Sequence, residues 1–483
     1  MSACTFPAVR IGTESLNSLE HKTAVHAAAS GELVAWQQIA SAAQIDQAVL
    51  AARAALPEWH MTAPALRGAL LQRVAALVEA QRESLVQIQM QVNGKPRFEA
   101  NCDVSDVAAC FAYYAELCRE GDAFASAPVP VPDTSVAARR RYEAVGVAAL
   151  VVPWNFPMVT TAWKLAPALA AGCTVVLKPS ELTSPAEHAL FELLNQAGVP
   201  AGVVSLVNGG APVGAALVAH PMIDKISFTG STAVGKQIMR SAADGLKRTT
   251  LELGGKSALI VREDADLELA VQLAIGGAFT NAGQMCSATS RILVHHSLYD
   301  RFMKDFQSTV QALIVAPPSD PTSAMGPLIS DAHRSRVQAL VEQGIAAGAE
   351  VAFSGQLAGT VGSGHFMAPL VIAAPDEHNI LWRDEIFGPV ACVRSFDNDA
   401  QALAIANSTA YGLVATVVTE SEEAAAKYET QLRAGLVWIN TPQLIFPQVC
   451  WGGLGASGIG RELGLQGLRS YQELRHAVHL TTG

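Results

Sequence analysis

Between residues 145 and 313 the chain alternates short, charge-poor apolar runs with amphipathic stretches of helical length, and this alternation constrains the fold more than any other feature. VGVAALVV (145–152), CTVVLK (173–178), VVSLV (203–207) and KISF (225–228) read as buried strands. Each is followed by room for a crossover helix: 160–171 closed by Gly172, 184–198 opening on Ser184 and Pro185, a short one from Pro212, and one after FTGSTAVG (228–235). Strands that are apolar throughout belong to sheets covered on both faces, and strand–helix–strand units of this length join parallel strands by right-handed crossovers. SALIV (257–261), a helix over 266–279, RILVHH (291–296) and a helix over 298–313 continue the pattern. The expected class is therefore α/β, with a Rossmann-type parallel-sheet domain and a second α/β domain.

Upstream of this series, the first 120 residues read as Ala- and Leu-rich amphipathic helices, for example over 44–55 and 63–91. Residues 125–141, with three prolines ahead of Arg139, Arg140 and Arg141, leave the first sheet as an excursion, and the tail 471–480 reads as a strand. Neither can bury itself alone, so both are candidate contacts between copies of the chain. The uncharged stretch 144–163 has the length of a membrane span, but Pro153, Asn155 and Pro157 interrupt it where a bilayer helix needs unbroken hydrogen bonds. No membrane association is expected.

Charge excludes another class of partner. With 33 Lys and Arg against 43 Asp and Glu, the net charge is −10, which denies the chain the basic surface that nucleic acid requires. The N-terminus shows no basic region followed by an apolar run, so a cytoplasmic protein is expected. None of the eight cysteines forms a CxxC pair, which argues against both disulfides and a metal site. Small molecules remain as ligands.

Cys286 lies in NAGQMCSATS, where the small and polar Gly283, Gln284 and Ser287 leave its sulfur approachable, as a thiolate nucleophile needs; the alternative is a buried packing cysteine. Glu252, in LELGGKS, is a carboxylate at an apolar strand end, suited to a general base with a raised pKa or to a simple ion pair. Asn155, bracketed by prolines in PWNFP, can donate to an oxyanion or merely close a turn. Gly230 and Gly235 in FTGSTAVG sit at a strand-to-helix turn that offers helix N–H groups to a pyrophosphate, although such turns also serve as plain connections. Lys178 and Glu181 of KPSE stand at a sheet edge where a ribose would lie, or form a solvated pair; a carboxylate bound to ribose favours NAD over NADP.

In this order and spacing, PWNFP, KPSE, FTGSTAVG, LELGGKS, GQMC, EIFGP (385–389) and GRELG (460–464) resemble the NAD(P)-dependent aldehyde dehydrogenase superfamily over essentially the whole length. The resemblance implies an aldehyde-dehydrogenase-like architecture: an NAD-binding domain of residues 1–121 and 143–253, a catalytic domain of 254–462, and a small oligomerisation element of 122–142 and 463–483 serving a homodimer or homotetramer. It implies Cys286 as nucleophile, Glu252 as general base, Asn155 as oxyanion donor, and Lys164 with Glu462 on a proton path. Toward NAD it implies Trp154, Lys178 and Glu181, then Ser231 with Gly230 and Gly235 at the pyrophosphate, and Glu385 with Phe387 on the nicotinamide side. Ala233 departs from the pattern, where Glu is more usual.

Within the superfamily, NGKPRFEA (93–100) running into CDVSDVAACFAYYAEL, CSATSRILVH and FPQVCWGG (446–453) look most like betaine-aldehyde and aminoaldehyde dehydrogenases. There Phe156, Trp163 and Trp451 match aromatic positions around a distal ammonium, and Asp103 and Asp106 match carboxylates facing it. Thr280 stands where the plant members carry Trp, and Leu436 adds bulk near the pocket. The resemblance thus implies oxidation of an ω-aminoaldehyde to its carboxylate with NAD. Neutral aliphatic or aromatic aldehydes, and a catalytically silent protein of the same fold, are the alternatives.

Overall fold

The computed structural model describes residues 4–18, 21–359 and 361–481. An eight-stranded sheet runs in the order Gly458–Ile459, Arg248–Glu252, Lys225–Thr229, Val147–Val151, Thr174–Lys178, Val204–Val207, Val9–Ile11, Glu14–Leu16. Its five inner strands are parallel, joined by the helices Pro157–Ala171, Ser184–Gln196, Ala211–Ala219 and Thr232–Asp244. Strand order reverses beside Val147–Val151, whose neighbours are Thr174–Lys178 on one side and Lys225–Thr229 on the other. In open α/β sheets the crevice at the carboxyl ends of strands flanking such a switch is where ligands bind.

The second sheet has seven strands in the order Glu350–Ser354, Leu370–Ala373, Val390–Phe396, Arg291–His295, Ala258–Val261, Val414–Val418, Leu436–Ile439, parallel except at its first edge. Each sheet has its own core. Phe111, Tyr114, Leu165 and Phe191 are buried beside the first, and Phe302, Phe306, Trp382 and Phe396 beside the second. A third sheet pairs the tail strand Gln472–Leu480 antiparallel with Val136–Ala144, which pairs in turn with Ala127–Val129. The excursion and the tail therefore meet.

Three readings need correction. The first 120 residues are not all helical: Cys4–Phe6, Val9–Ile11, Glu14–Leu16, Lys22–His26 and Leu33–Gln38 precede the first helix, Ala42–Met61. These strands are short and partly exposed, so they lack the continuous apolar run that marked the inner strands. The stretch 63–91 is two helices, Pro64–Ala80 and Arg82–Asn93, broken at Gln81 (φ −107°, ψ 18°) with no Gly or Pro to announce the break. Finally, Gly458–Ile459, placed by sequence in the second domain, closes the first sheet by pairing antiparallel with Arg248–Glu252. Among the described residues no helix is long and apolar enough to cross a membrane.

Candidate active site

Three candidate residues stand at carboxyl ends of parallel strands of the first sheet because the sheet puts them there. Val147–Val151 leads into Asn155, Thr174–Lys178 ends on Lys178, and Arg248–Glu252 ends on Glu252, in register with Thr229 on one side and Gly458 on the other. Cys286 arrives from the second unit, on the loop after the helix Leu267–Phe279. That loop turns through left-handed conformations at Asn281, Ala282 and Gly283 (φ 50°, 54° and 71°), two of them unfavourable for residues with a Cβ. Side chains hold it there. Asn281 Nδ2 donates to the Asn155 carbonyl at 3.1 Å, its backbone N–H donates to Glu99 Oε1 at 2.9 Å, and Gln284 Nε2 donates to the Asn281 carbonyl at 2.9 Å. Gly283 is obligatory for a second reason: a Cβ there would lie 2.2 Å from the Gly388 carbonyl oxygen.

The structure brings Cys286 and Asn155 together on the wall of one cavity of about 660 Å³. Asn155 Nδ2 donates one hydrogen to the Gln284 carbonyl at 2.9 Å, leaving its second for a ligand. Burial first, then the charges of Glu385 and Glu252, push the Cys286 thiol up. Glu252 is buried behind the cavity, and neither of its oxygens has a hydrogen-bond partner among the described residues. Burial, and next the carboxylate of Glu462, hold its pKa well above the usual range, while Lys164 opposes them. Lys164 Nζ is bonded to Glu462 and donates to Thr229 Oγ1 at 2.7 Å, and Ser227 Oγ donates to Glu462 Oε1 at 3.3 Å. Thr229 lines the cavity, so this polar chain reaches inward from the cavity wall to Glu462, which acts on Glu252 through its charge.

On the cofactor side, Lys178 Nζ donates to the Pro179 carbonyl at 2.8 Å and lies 3.8 Å from Glu181 Oε2; burial lowers its pKa and Glu181 opposes that. The Glu181 side chain is 42% exposed, and its backbone is pinned by Gln37 Nε2, which donates to the Glu181 carbonyl at 2.6 Å. Ser231 caps the helix Thr232–Asp244 by accepting from the Val234 N–H at 3.3 Å, and its own hydroxyl hydrogen stays free to donate. Gly230 donates its N–H to the Glu252 carbonyl at 3.0 Å, and a Cβ at Gly235 would stand 2.5 Å from Leu253. Glu385, pushed up to about 7 by burial, accepts the Gly255 N–H at 3.0 Å. Phe387 is held at φ 59° while its carbonyl accepts from His333 Nε2 at 2.7 Å, and its ring meets Trp154 edge-on at 5.4 Å. A carboxylate and an ammonium at one end, a capped helix N-terminus in the middle and a second carboxylate beside Cys286 form a donor set that fits a dinucleotide.

The distal wall modifies the expectations. Trp163 and Trp451 lie 5.4 Å apart, and Trp163 Nε1 donates to Asp106 Oδ1 at 3.5 Å; burial raises Asp106 to about 7. Asp103 lies on the same wall, with one of its oxygens already engaged. Its Oδ2 accepts from Lys95 Nζ in a buried ion pair and from Gln89 Nε2 at 2.6 Å. Phe156 has one face covered by the same ammonium, 3.6 Å from the ring centroid. Leu436 packs into the first core and is absent from the cavity wall, whereas Thr280 is on it. The sequence reading missed Glu99, which lines the cavity one helical turn before Asp103, and Trp438, whose ring backs Trp451 at 6.2 Å. The spacing of Glu99, Asp103 and Asp106 at i, i+4 and i+7 was the available signal.

Residues 16–477 match the aldehyde dehydrogenase family. The chain is 39% identical over 440 residues to aminoaldehyde dehydrogenase 2, peroxisomal, of Pisum sativum, covering 90% of this chain and 88% of the relative. It is 39% identical over 444 residues to betaine aldehyde dehydrogenase, chloroplastic, of Beta vulgaris, covering 91% and 89%. Among solved structures, betaine aldehyde dehydrogenase of Staphylococcus aureus in complex with NAD+ superposes with a TM-score of 0.95 at 34% identity, covering 98% of this chain and 95% of that one.

Proposed function

The chain belongs to the aldehyde dehydrogenase family, and we propose that within it the protein oxidises ω-aminoaldehydes. It is an NAD-dependent enzyme that converts an aldehyde and water to a carboxylate. The observation that carries the substrate is the shared cavity: Cys286 and Asn155 line it together with Asp106, Glu99, Trp163 and Trp451, a wall of carboxylates and rings suited to an ammonium.

The Cys286 sulfur attacks the carbonyl carbon after passing its proton to Glu252. The resulting oxyanion is held by the free Asn155 Nδ2 hydrogen and the Cys286 backbone N–H. NAD, when bound by Lys178, Glu181, the helix end at Ser231 and Glu385, supplies the acceptor for the hydride that leaves the substrate carbon. Glu252, whose proton affinity Lys164 and Glu462 set through their charges, gives up that proton and then deprotonates water, which displaces Cys286 from the thioester and releases the acid. An aldehyde, water and oxidised cofactor become a carboxylate, reduced cofactor and two protons.

Residues 1–121 and 143–253 are the proposed NAD-binding domain and 254–462 the catalytic domain, apart from the strand Gly458–Ile459, which pairs with the first sheet. Residues 122–142 and 463–483 would join copies into a homodimer or homotetramer, a reading supported by Leu474, Val478 and Leu480, which are exposed along one face of the tail strand. The cytoplasm is the proposed compartment, supported by eight cysteines that are all free. Steady-state NAD reduction with ω-aminoaldehydes and uncharged aldehydes of equal length tests the substrate. Higher kcat/KM for the uncharged series would replace aminoaldehydes with neutral ones.

A further inference from the structure

Three carboxylates of one helix, Glu99, Asp103 and Asp106, line the cavity. Asp103 is already ion-paired through Oδ2 with Lys95, which leaves Asp106 and Glu99 as the two without an ion pair of their own. They share a face of the helix Arg97–Glu120, seven positions apart and so about 10 Å along its axis. Asp106 marks the inner end, bonded to Trp163, which packs on Trp451, itself paired through its backbone with Glu462. Glu99 marks the outer end, next to Phe98, which is 55% exposed and lines the same cavity. Glu99 is only 5% exposed; its Oε1 accepts the Asn281 N–H, and its Oε2 has no hydrogen-bond partner among the described residues.

Two observations away from this helix point to a ligand of some length. Thr416, 3% exposed on the second sheet, also lines the cavity with a hydroxyl that has no partner among the described residues. On the wall formed by the helix Leu267–Phe279 and its C-cap, Gln272, Gly276 and Thr280 line the cavity at successive turns, and a Cβ added at Gly276 would meet nothing within 4 Å. A cavity of about 660 Å³ is in the range that houses drug-sized ligands, far larger than a short aminoaldehyde.

We propose that the preferred substrate is a dicationic aldehyde, in which a secondary ammonium lies against Asp106 and Trp163 and a terminal primary ammonium, several methylenes further out, is held by Glu99. This rests on the aminoaldehyde reading above and narrows it. A single ammonium at Asp106 leaves Glu99 with only the Asn281 N–H and the charge of Lys95, which Asp103 already pairs, whereas a second one ion-pairs it directly. The open wall at Gly276 and Thr280 leaves space for the longer chain. The reaction that supplies such a substrate is oxidation of one primary amine of a polyamine, and the product is the matching amino acid.

The test compares kcat/KM, with NAD and the full-length enzyme, for the terminal aldehyde of oxidised putrescine, which carries one ammonium, that of oxidised spermidine, which carries two, and an uncharged aldehyde of the longer length. The expected result is an advantage of the dication over the monocation of about tenfold or more. Glu99→Gln keeps the acceptor for Asn281 and should bring the two cations close to parity. Gly276→Leu should lower the dication more than the monocation, and it carries the test alone if the Glu99 variant fails to fold. Equal use of the two cations by the wild type, or an unchanged ratio in these variants, overturns the dication. An uncharged aldehyde better than both cations overturns the aminoaldehyde reading itself.

Discussion

Lys164 and Glu462, 298 positions apart in the chain, form a buried ion pair, and the same ammonium donates to Thr229 at the cavity wall. The pair sits where it acts in opposite directions on Glu252: the Glu462 carboxylate raises its pKa and the Lys164 ammonium lowers it. Glu462→Gln should therefore move the acidic limb of the kcat–pH profile to lower pH, and Lys164→Met should move it to higher pH. Purely structural damage would lower kcat without moving the limbs apart. Shifts in the same direction would remove the pair from the base's control.

Cys286→Ala should lower kcat by at least about a thousandfold while leaving NAD binding intact, because the sulfur forms the covalent intermediate and does not hold the nucleotide. Glu252→Gln should instead release about one NADH per active site in a slowed burst, because the thiol has lost its proton acceptor, and then stall at the thioester, because the water-activating base is gone. Rapid-mixing absorbance of NADH separates the two. A linear trace from the Glu252 variant at the wild-type rate would assign the base elsewhere.

What could be read in the sequence divides along physical lines. Four of the five inner strands of the first sheet announced themselves as short buried apolar runs, while Arg248–Glu252, with its arginine and two threonines, did not, and Cys286, Glu252, Asn155 and Lys178 came with short motifs whose glycines and prolines fix the local backbone. The N-terminal strands stayed hidden because half-exposed edge strands of three residues carry almost no periodic signal. The pairing of Asp103 stayed hidden for a different reason. A helix face tells which residues point the same way, but not that Lys95, eight positions earlier, folds over Phe156 to pair with one oxygen of Asp103. The left-handed turn at Asn281 and Ala282 had no glycine to mark it, because tertiary hydrogen bonds enforce it.

That difference between neighbouring carboxylates is measurable. Asp103→Asn should leave the preference for an aminoaldehyde over a neutral one nearly unchanged, yet destabilise the fold by about 3–5 kcal/mol because Lys95 becomes an unpaired buried charge. Asp106→Asn should do the reverse, reducing the preference by about tenfold with little loss of stability. Thermal unfolding and kcat/KM ratios on the same two variants decide it. Loss of the preference in Asp103→Asn alone would make that residue the one that holds the amine.

Glu181 stands 3.8 Å from Lys178 with its carboxylate largely toward solvent, so a phosphate on the ribose would meet a like charge there. Glu181→Ser should raise kcat/KM for NADP relative to NAD by about tenfold, equivalent to about 1.4 kcal/mol. An unchanged ratio would mean that another group reads the ribose.

Burial holds the Glu99 carboxyl at about 7, above its ordinary 4.5. A raised folded-state pKa means that the folded protein keeps a proton the unfolded chain has already lost, so stability is fully present below about pH 4.5, falls as pH rises toward 7, and stays lower above it. Glutamine at this position cannot lose a proton. Glu99→Gln should thus match the wild type at pH 4.5 and exceed it at pH 8, by up to about 3 kcal/mol before the site relaxes. A ligand that brings an ammonium to Glu99 should close that gap by lowering the carboxyl's pKa, which makes the added stability at pH 8 ligand-dependent in the wild type and absent in the variant. Denaturant unfolding at the two pH values, with and without spermidine as a non-reacting cation, measures both effects. Equal stability of the two proteins at pH 8 would mean that Glu99 carries no uncompensated charge, and the outer end of the cavity would then have no reason to select a second ammonium.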